Sequence, residues 1–244
     1  MTLTAAQYVH ALQSDGKALA AAAEDNLDRP VPTCPGWTVA DLVQHTGWVH
    51  RHKAAVVRRG GTEPATIQYW EQPPAPRDSL LDWYREGLAD LVEVLGNTDP
   101  QAPAFNWTQD HRVAFWQRRM AQETVVHRYD AEAAAGRFTP VDAALAADGI
   151  DEFLRIFVPR NEEPYAGPHG EILLAAQDVG EQWTLALGGG EPRITPGGAT
   201  AEATIRANAA DLLLVLWRRK AGAVAVLEGS AVLVQGFLDW NDLD

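Results

Sequence analysis

The run Val113-Ala-Phe-Trp-Gln-Arg-Arg-Met-Ala-Gln-Glu-Thr-Val-Val-His-Arg-Tyr-Asp130 reads as one helix. Apolar residues at Val113, Trp116 and Met120 recur at the spacing of a single helical face. Continuing that face, the next two positions are Glu123 and His127. They are four residues apart, so their side chains lie one turn from each other and point the same way. Two ionisable groups therefore occupy a stripe that should enter a core. A buried carboxylate and imidazole are costly unless partnered. A metal ion is one such partner.

A metal needs further ligands, and seven histidines are available: His10, His45, His50, His52, His111, His127 and His169. His45 is the best placed. It lies three residues after Leu42 and four before Val49, on the inward face of its own helix. Two neutral imidazoles and one carboxylate leave coordination positions open. That is the pattern of a catalytic zinc or similar divalent ion rather than a closed structural site, and iron or nickel can use the same set. Asp41, one turn before His45, is positioned to accept the proton of the second ring nitrogen. The ordinary alternative is a solvated Glu–His pair on an exposed helix. His50 and His52 read as surface residues of a basic turn with Arg51 and Lys53, and His52 is the reserve ligand.

Other candidate chemistry is thinner. Cys34, between Thr33 and Pro35, can be a nucleophile or a ligand, but a small buried side chain is the plainer reading. The nine tryptophans are scattered along the chain, which suits packing better than a stacking surface. No phosphate-cradling Gly-Lys-Ser/Thr pattern and no Gly-x-Ser-x-Gly elbow occurs.

The bulk properties bound the function. The chain has 244 residues and a net charge of −13, with 46% hydrophobic residues, an ordinary globular composition with room for two modest domains. Such an acidic surface repels phosphate backbones, so nucleic acid is not an expected partner. No apolar run is long enough to span a membrane, and the N-terminus carries no signal-peptide pattern. A single cysteine rules out an internal disulfide. A cytoplasmic protein, monomeric or homodimeric, is expected.

Helices are predicted over Leu3 to Asp25, from a Thr38–Asp41 capping box to Gly60, from an Asp78 or Ser79 cap through Leu95, and from Val113 to Ala135. A proline-bearing loop covers Thr62 to Pro76. Thr139-Pro140 is expected to start a fifth helix through Phe157. After Pro159 the texture changes to short strands at Ile172–Ala176, Trp183–Leu187 and Ala201–Arg206, with helices at Asp211–Arg219 and Ser230–Asp239. The expected domains are 1–158, helical, and 159–244, a small α+β unit.

Cys34-Pro-Gly-Trp-Thr-Val-Ala-Asp-Leu-Val-Gln-His45 resembles the first signature of the mycothiol-dependent maleylpyruvate isomerase family, and Arg118 to Glu132 its second. Asp148–Leu154 and Asp211–Arg219 are similar to its C-terminal segments. The resemblance implies a DinB-like four-helix bundle with a divalent metal, followed by a small α/β domain related in shape to sterol carrier proteins. It places the metal ligands at His45, Glu123 and His127, the set already selected by helical facing. Family members often carry a histidine immediately before the glutamate, where this chain has Gln122.

The resemblance further implies a metal-dependent enzyme that uses mycothiol as thiol cosubstrate, with Zn2+ the expected metal. The reaction would be a thiol transfer or a cis–trans isomerisation of a small electrophile. Arg51, Arg118, Arg119, Arg218 and Arg219 are candidates to hold carboxylates of thiol or substrate. Two alternatives stand beside this. One is a metal-dependent hydrolase on the same bundle. The other is a non-enzymatic small-molecule-binding protein in which the metal site is vestigial.

Overall fold

A computed structural model describes residues 3–64, 77–198 and 200–240. The chain divides into two compact units, Leu3–Thr139 and the residues from Pro140 on. Among the described residues, no helix is long and apolar enough to cross a membrane.

The first unit is a four-helix bundle of α1 (Ala5–Ala23), α2 (Val39–Arg59), α3 (Leu80–Asn97) and α4 (Val113–Ala135). Helix α1 packs on α4 and α3, and α2 on α3 and α4, so the four close a ring. Leu12, Leu19, Leu42, Leu91 and Leu95 are fully buried between them. Local signals set the ends. The Thr38 side chain accepts from the Asp41 amide while the Asp41 carboxylate accepts from the Thr38 amide, a complete capping box. Gly136 takes the left-handed conformation that ends α4 where the sequence indicates. Helix α3 differs from expectation: Ser79 stands at its N-cap without a side-chain cap bond, and Asp78 lies in a 3-10 turn, Arg77–Ser79. The expected loop Thr62–Pro76 lies outside the described residues from position 65 on.

Helix α4 departs most from its sequence pattern. It is buried on nearly every side, not along one stripe; Gln117, Arg119, Gln122, Thr124, Arg128, Asp130 and Glu132 are interior together with His127. Interior polar groups must find partners. At its C-terminal end the Glu132 carboxylate accepts from the Thr139 amide at 2.8 Å and the Thr139 hydroxyl at 2.6 Å, with the Arg128 guanidinium 3.5 Å away. Thr139 is therefore used as a tie to α4 and does not cap the next helix. Asp142 does, accepting from the Leu145 amide at 2.8 Å.

That next helix, α5 (Ala143–Glu152), runs into a π-helical turn at Phe153–Phe157. Its Ala146, Ile150, Phe153 and Leu154 enter the apolar core of the second unit. The division thus falls between Thr139 and Pro140, earlier than the 158/159 boundary the change of texture indicates. The reason is packing: α5 buries its apolar face against α6 (Ala209–Leu216), a partner that lies far along the chain.

The second unit carries a five-stranded sheet in the order β3-β2-β1-β4-β5, formed by β1 (Gly170–Ala176), β2 (Glu181–Leu187), β3 (Arg193–Pro196), β4 (Ala203–Ala207) and β5 (Val226–Gly229). β1 and β4 run parallel and the other pairs antiparallel. Helices α6 and α7 (Ala231–Trp240) pack on β1 and β4. Ile172, Leu174, Trp183, Leu185, Ile205, Leu213 and Phe237 share the core. β3 and β5 are not among the expected strands. Both are four-residue edge strands with no buried residue, so no inward alternation marks them.

Candidate metal centre

Helices α2 and α4 bring His45, Glu123 and His127 together. His45 Nε2 lies 3.5 Å from Glu123 Oε1, and His127 Nε2 lies 3.4 Å from the same oxygen. The rings of His45 and His127 meet edge to face, with centroids 5.1 Å apart. One donor atom from each residue lies within 4.8 Å of the others, a group that can hold a metal ion. The helical facing read from sequence is therefore realised in space: the i,i+4 pair on α4 meets a histidine from the neighbouring helix.

The second carboxylate oxygen is engaged too. Arg119, one turn before Glu123 and only 2% exposed, donates from its guanidinium to Glu123 Oε2 at 3.1 Å. Burial by itself would raise the Glu123 pKa. Hydrogen bonds from His127 and His45, and the charges of His127 and Arg119, outweigh it and hold the carboxyl well below its ordinary value. At His127 burial opposes the charged ring. Hydrogen bonds to Asp130 and Glu123, and their charges, prevail and raise its pKa to about 9.

The carboxylate behind this cluster is Asp130, not Asp41. His127 Nδ1 lies 3.0 Å from Asp130 Oδ2, and Asp130 is completely buried. Asp41 is exposed and occupied by the capping box, its Oδ2 accepting from the Thr38 amide at 2.8 Å and the Thr38 hydroxyl at 2.6 Å. The cap that starts α2 consumes the residue that the sequence offers to His45. Asp130 was legible in principle, since it follows His127 by three positions on one helix. Cys34 also reaches this carboxylate, its Sγ 3.6 Å from Asp130 Oδ2 in a half-buried loop.

His50 and His52 correct the expectation of a basic surface turn. His50 is completely buried, its Nε2 2.9 Å from the Thr124 hydroxyl, and burial lowers its pKa to about 3. His52 is partly buried, its Nδ1 2.9 Å from Lys53 Nζ rather than facing the cluster. Lys53 was not anticipated as a site residue. Its ammonium lies 4.7 Å from the centre of the Trp116 ring and 5.6 Å from that of Trp107. Burial pushes its pKa down to about 8, against the opposing pull of the Glu123 charge.

The candidate arginines divide. Arg119 serves Glu123. Arg51 donates to the Trp83 carbonyl at 2.7 Å and lies over the Trp83 ring. In the second unit, Arg218 donates to the Asp239 carbonyl at 3.1 Å and Arg219 to the Trp217 carbonyl at 2.9 Å.

Residues 9–132 match the family model described as the mycothiol maleylpyruvate isomerase N-terminal domain. Residues 144–236 match the corresponding C-terminal domain. Two crystal structures of the mycothiol-dependent maleylpyruvate isomerase, one of them of a point mutant, share the fold. Their TM-scores are 0.67 and 0.69 at 11% identity, over 95% of this chain and 98% of each of theirs. A search of curated proteins returned no match. Through both of its units, the chain belongs to the mycothiol maleylpyruvate isomerase family, a family of enzymes.

Proposed function

We propose that this protein is a metal-dependent enzyme that uses mycothiol, as a thiol transferase or as a cis–trans isomerase, with the metal held by His45, Glu123 and His127. The convergence of those three donors within 4.8 Å, on a bundle of this family, carries the reading. The donor set suits a divalent ion. Two ligands each roughly 2.1 Å from a tetrahedral centre stand about 3.4 Å apart. The Glu123–His127 and Glu123–His45 separations are 3.4 and 3.5 Å. Two nitrogens and one oxygen fit zinc and leave a position open for a thiol.

When bound, the metal would act as a Lewis acid that favours the thiolate of a coordinated thiol. Mycothiol would supply the nucleophile: bonding of its sulfur to one alkene carbon leaves a rotatable single bond, and loss of sulfur restores the double bond with no net oxidation. The protein's own residues prepare the site. Arg119 adds its charge to the hydrogen bonds from His127 and His45 that keep Glu123 ionised, and fixes one of its oxygens, leaving the other for the cluster. Asp130 accepts from His127 Nδ1, which leaves Nε2 as the donor toward the cluster.

Metal analysis with calorimetric titration of mycothiol tests the proposal. The expected result is near-stoichiometric divalent metal, mycothiol binding that disappears when the metal is stripped, and loss of most metal in His127→Ala. Full metal content in His127→Ala, or mycothiol binding indifferent to metal, would overturn it.

A further inference from the structure

The loop Val31-Pro-Thr-Cys-Pro-Gly-Trp37 reaches both histidines of the cluster by two different routes, His45 by direct contact and His127 through Asp130. It is folded back on itself: the Val31 amide donates to the Trp37 carbonyl at 2.9 Å, and the Trp37 amide to the Cys34 carbonyl at 3.1 Å. Gly36 has a φ of 85°, a conformation that makes this reversal possible and that side chains resist. On one side of the loop, the Thr33 hydroxyl donates to Asp130 Oδ1 at 2.6 Å, and the other oxygen of Asp130 receives His127. On the other side, the Trp37 ring packs against His45 with centroids 5.0 Å apart.

Each contact adds a restraint to a ring that is already in contact with Glu123 and with the other histidine. A carboxylate can only accept, so the Asp130 contact places a hydrogen on His127 Nδ1 and leaves Nε2 facing Glu123. Asp130 is itself an aspartate with no exposed surface, and a buried carboxylate is held by hydrogen bonds or is expelled. Thr33 supplies one of those bonds from outside α4, so the loop fixes the carboxylate as the carboxylate fixes the imidazole. His45 is not so enclosed, with its side chain 40% exposed. The Trp37 ring, inclined at 57° to it, is the aromatic contact on that side.

Resting on the metal reading above, we infer that the Val31–Trp37 loop is a positioning element for the metal centre, setting His127 through Thr33 and Asp130 and setting His45 through Trp37. Nothing in the loop need touch the ion. Its work is to keep two donor atoms aimed at one point before the ion arrives, which raises affinity by reducing the ordering that binding must otherwise impose.

The test is cobalt(II) affinity, by competition with a coloured chelator, together with the visible absorption bands of the bound cobalt. It is applied to the full chain and to Asp130→Asn, Thr33→Val, Thr33→Ser and Trp37→Leu, with circular dichroism as the check on folding. Asp130→Asn is expected to weaken binding by about 10–100-fold, the range for groups that orient metal-bound histidines. Thr33→Val and Trp37→Leu should weaken it by a smaller but measurable factor and shift the cobalt bands, while Thr33→Ser, which keeps the hydroxyl, should bind like the parent. Parent-like affinity and spectrum in Thr33→Val and Trp37→Leu would overturn the inference, as would equal loss in Thr33→Ser and Thr33→Val. Should Asp130→Asn fail to fold, the Thr33 pair decides. These failures are distinct from failure of the metal reading, in which the parent binds no cobalt or His127→Ala binds it as well as the parent.

Discussion

Arg119 donates to Glu123 Oε2 at 3.1 Å from a position that is 2% exposed, so a full positive charge is carried into the bundle beside the candidate ligand. Glu123 keeps His127 and His45 as partners when Arg119 is removed, and its side chain is 22% exposed, so the loss is that of one hydrogen bond to a charged group rather than of a lone buried pair. Arg119→Met should destabilise the metal-free protein by about 1.5–3 kcal/mol. Urea unfolding checks this; a change below about 0.5 kcal/mol, typical of surface sites, would show that the pair is not a structural contact.

The metal-free protein should lose stability on the alkaline side. His127 has its pKa raised from 6.5 to about 9 in the folded state. Its contribution is complete below 6.5 and is lost as pH rises through about 9. Glu123, held below its ordinary 4.5, contributes fully above 4.5 and loses that contribution on acidification. The stability of the stripped protein should therefore peak near pH 6.5: below it the buried His50, its pKa lowered to about 3, favours the unfolded chain whose ring protonates, and above it the loss at His127 takes over until about 8, where Lys53 begins to act in the opposite sense. Urea midpoints across the range measure it, and the alkaline fall should be absent from His127→Gln. A decline of equal size in that variant would assign it to another group.

Metal binding should release protons. A ligating imidazole must be deprotonated, and His127 holds its proton up to about pH 9 in the folded chain. Calorimetric metal titrations near neutral pH in buffers of different ionisation enthalpy should show about one proton released. Glu123→Gln should weaken the same binding by removing the ligand charge. Unaltered affinity in that variant would remove Glu123 from the ligand set.

Gly47 is where α2 and α3 come close. A Cβ there would lie 2.4 Å from Cζ3 of the Trp83 indole, well inside contact distance. Gly47→Ala should displace Trp83 and destabilise the bundle by about 1–3 kcal/mol, even though alanine is the better helix former. A thermal melt measures it, and a stabilised variant would show that Trp83 moves aside without loss.

Much of this protein was determined locally. The span of α4, the capping box of α2 and the Gly136 stop follow from neighbouring residues, and so does the pairing of Glu123 with His127, because i,i+4 spacing on a helix is a geometric certainty once the helix forms. His45 was legible from its spacing to Leu42 and Val49, although in the folded helix Val49 is half-buried and His45 stands at the margin of the buried face, its side chain 40% exposed. What the tertiary structure decided are choices between competing uses of one residue. Asp41 had two roles open to it, and the cap took it. Thr139 was fit to cap α5 and instead holds Glu132. His50 carried the markings of a surface turn and lies with no exposure at all against Thr124, seventy-four residues away. The edge strands β3 and β5, and the allegiance of α5 to the second unit, also depended on partners distant in the chain. Periodicity reports which face of an element is apolar. Which polar groups on it meet each other is settled only when the elements pack, and it is there that Asp130 and Thr33 reach the cluster.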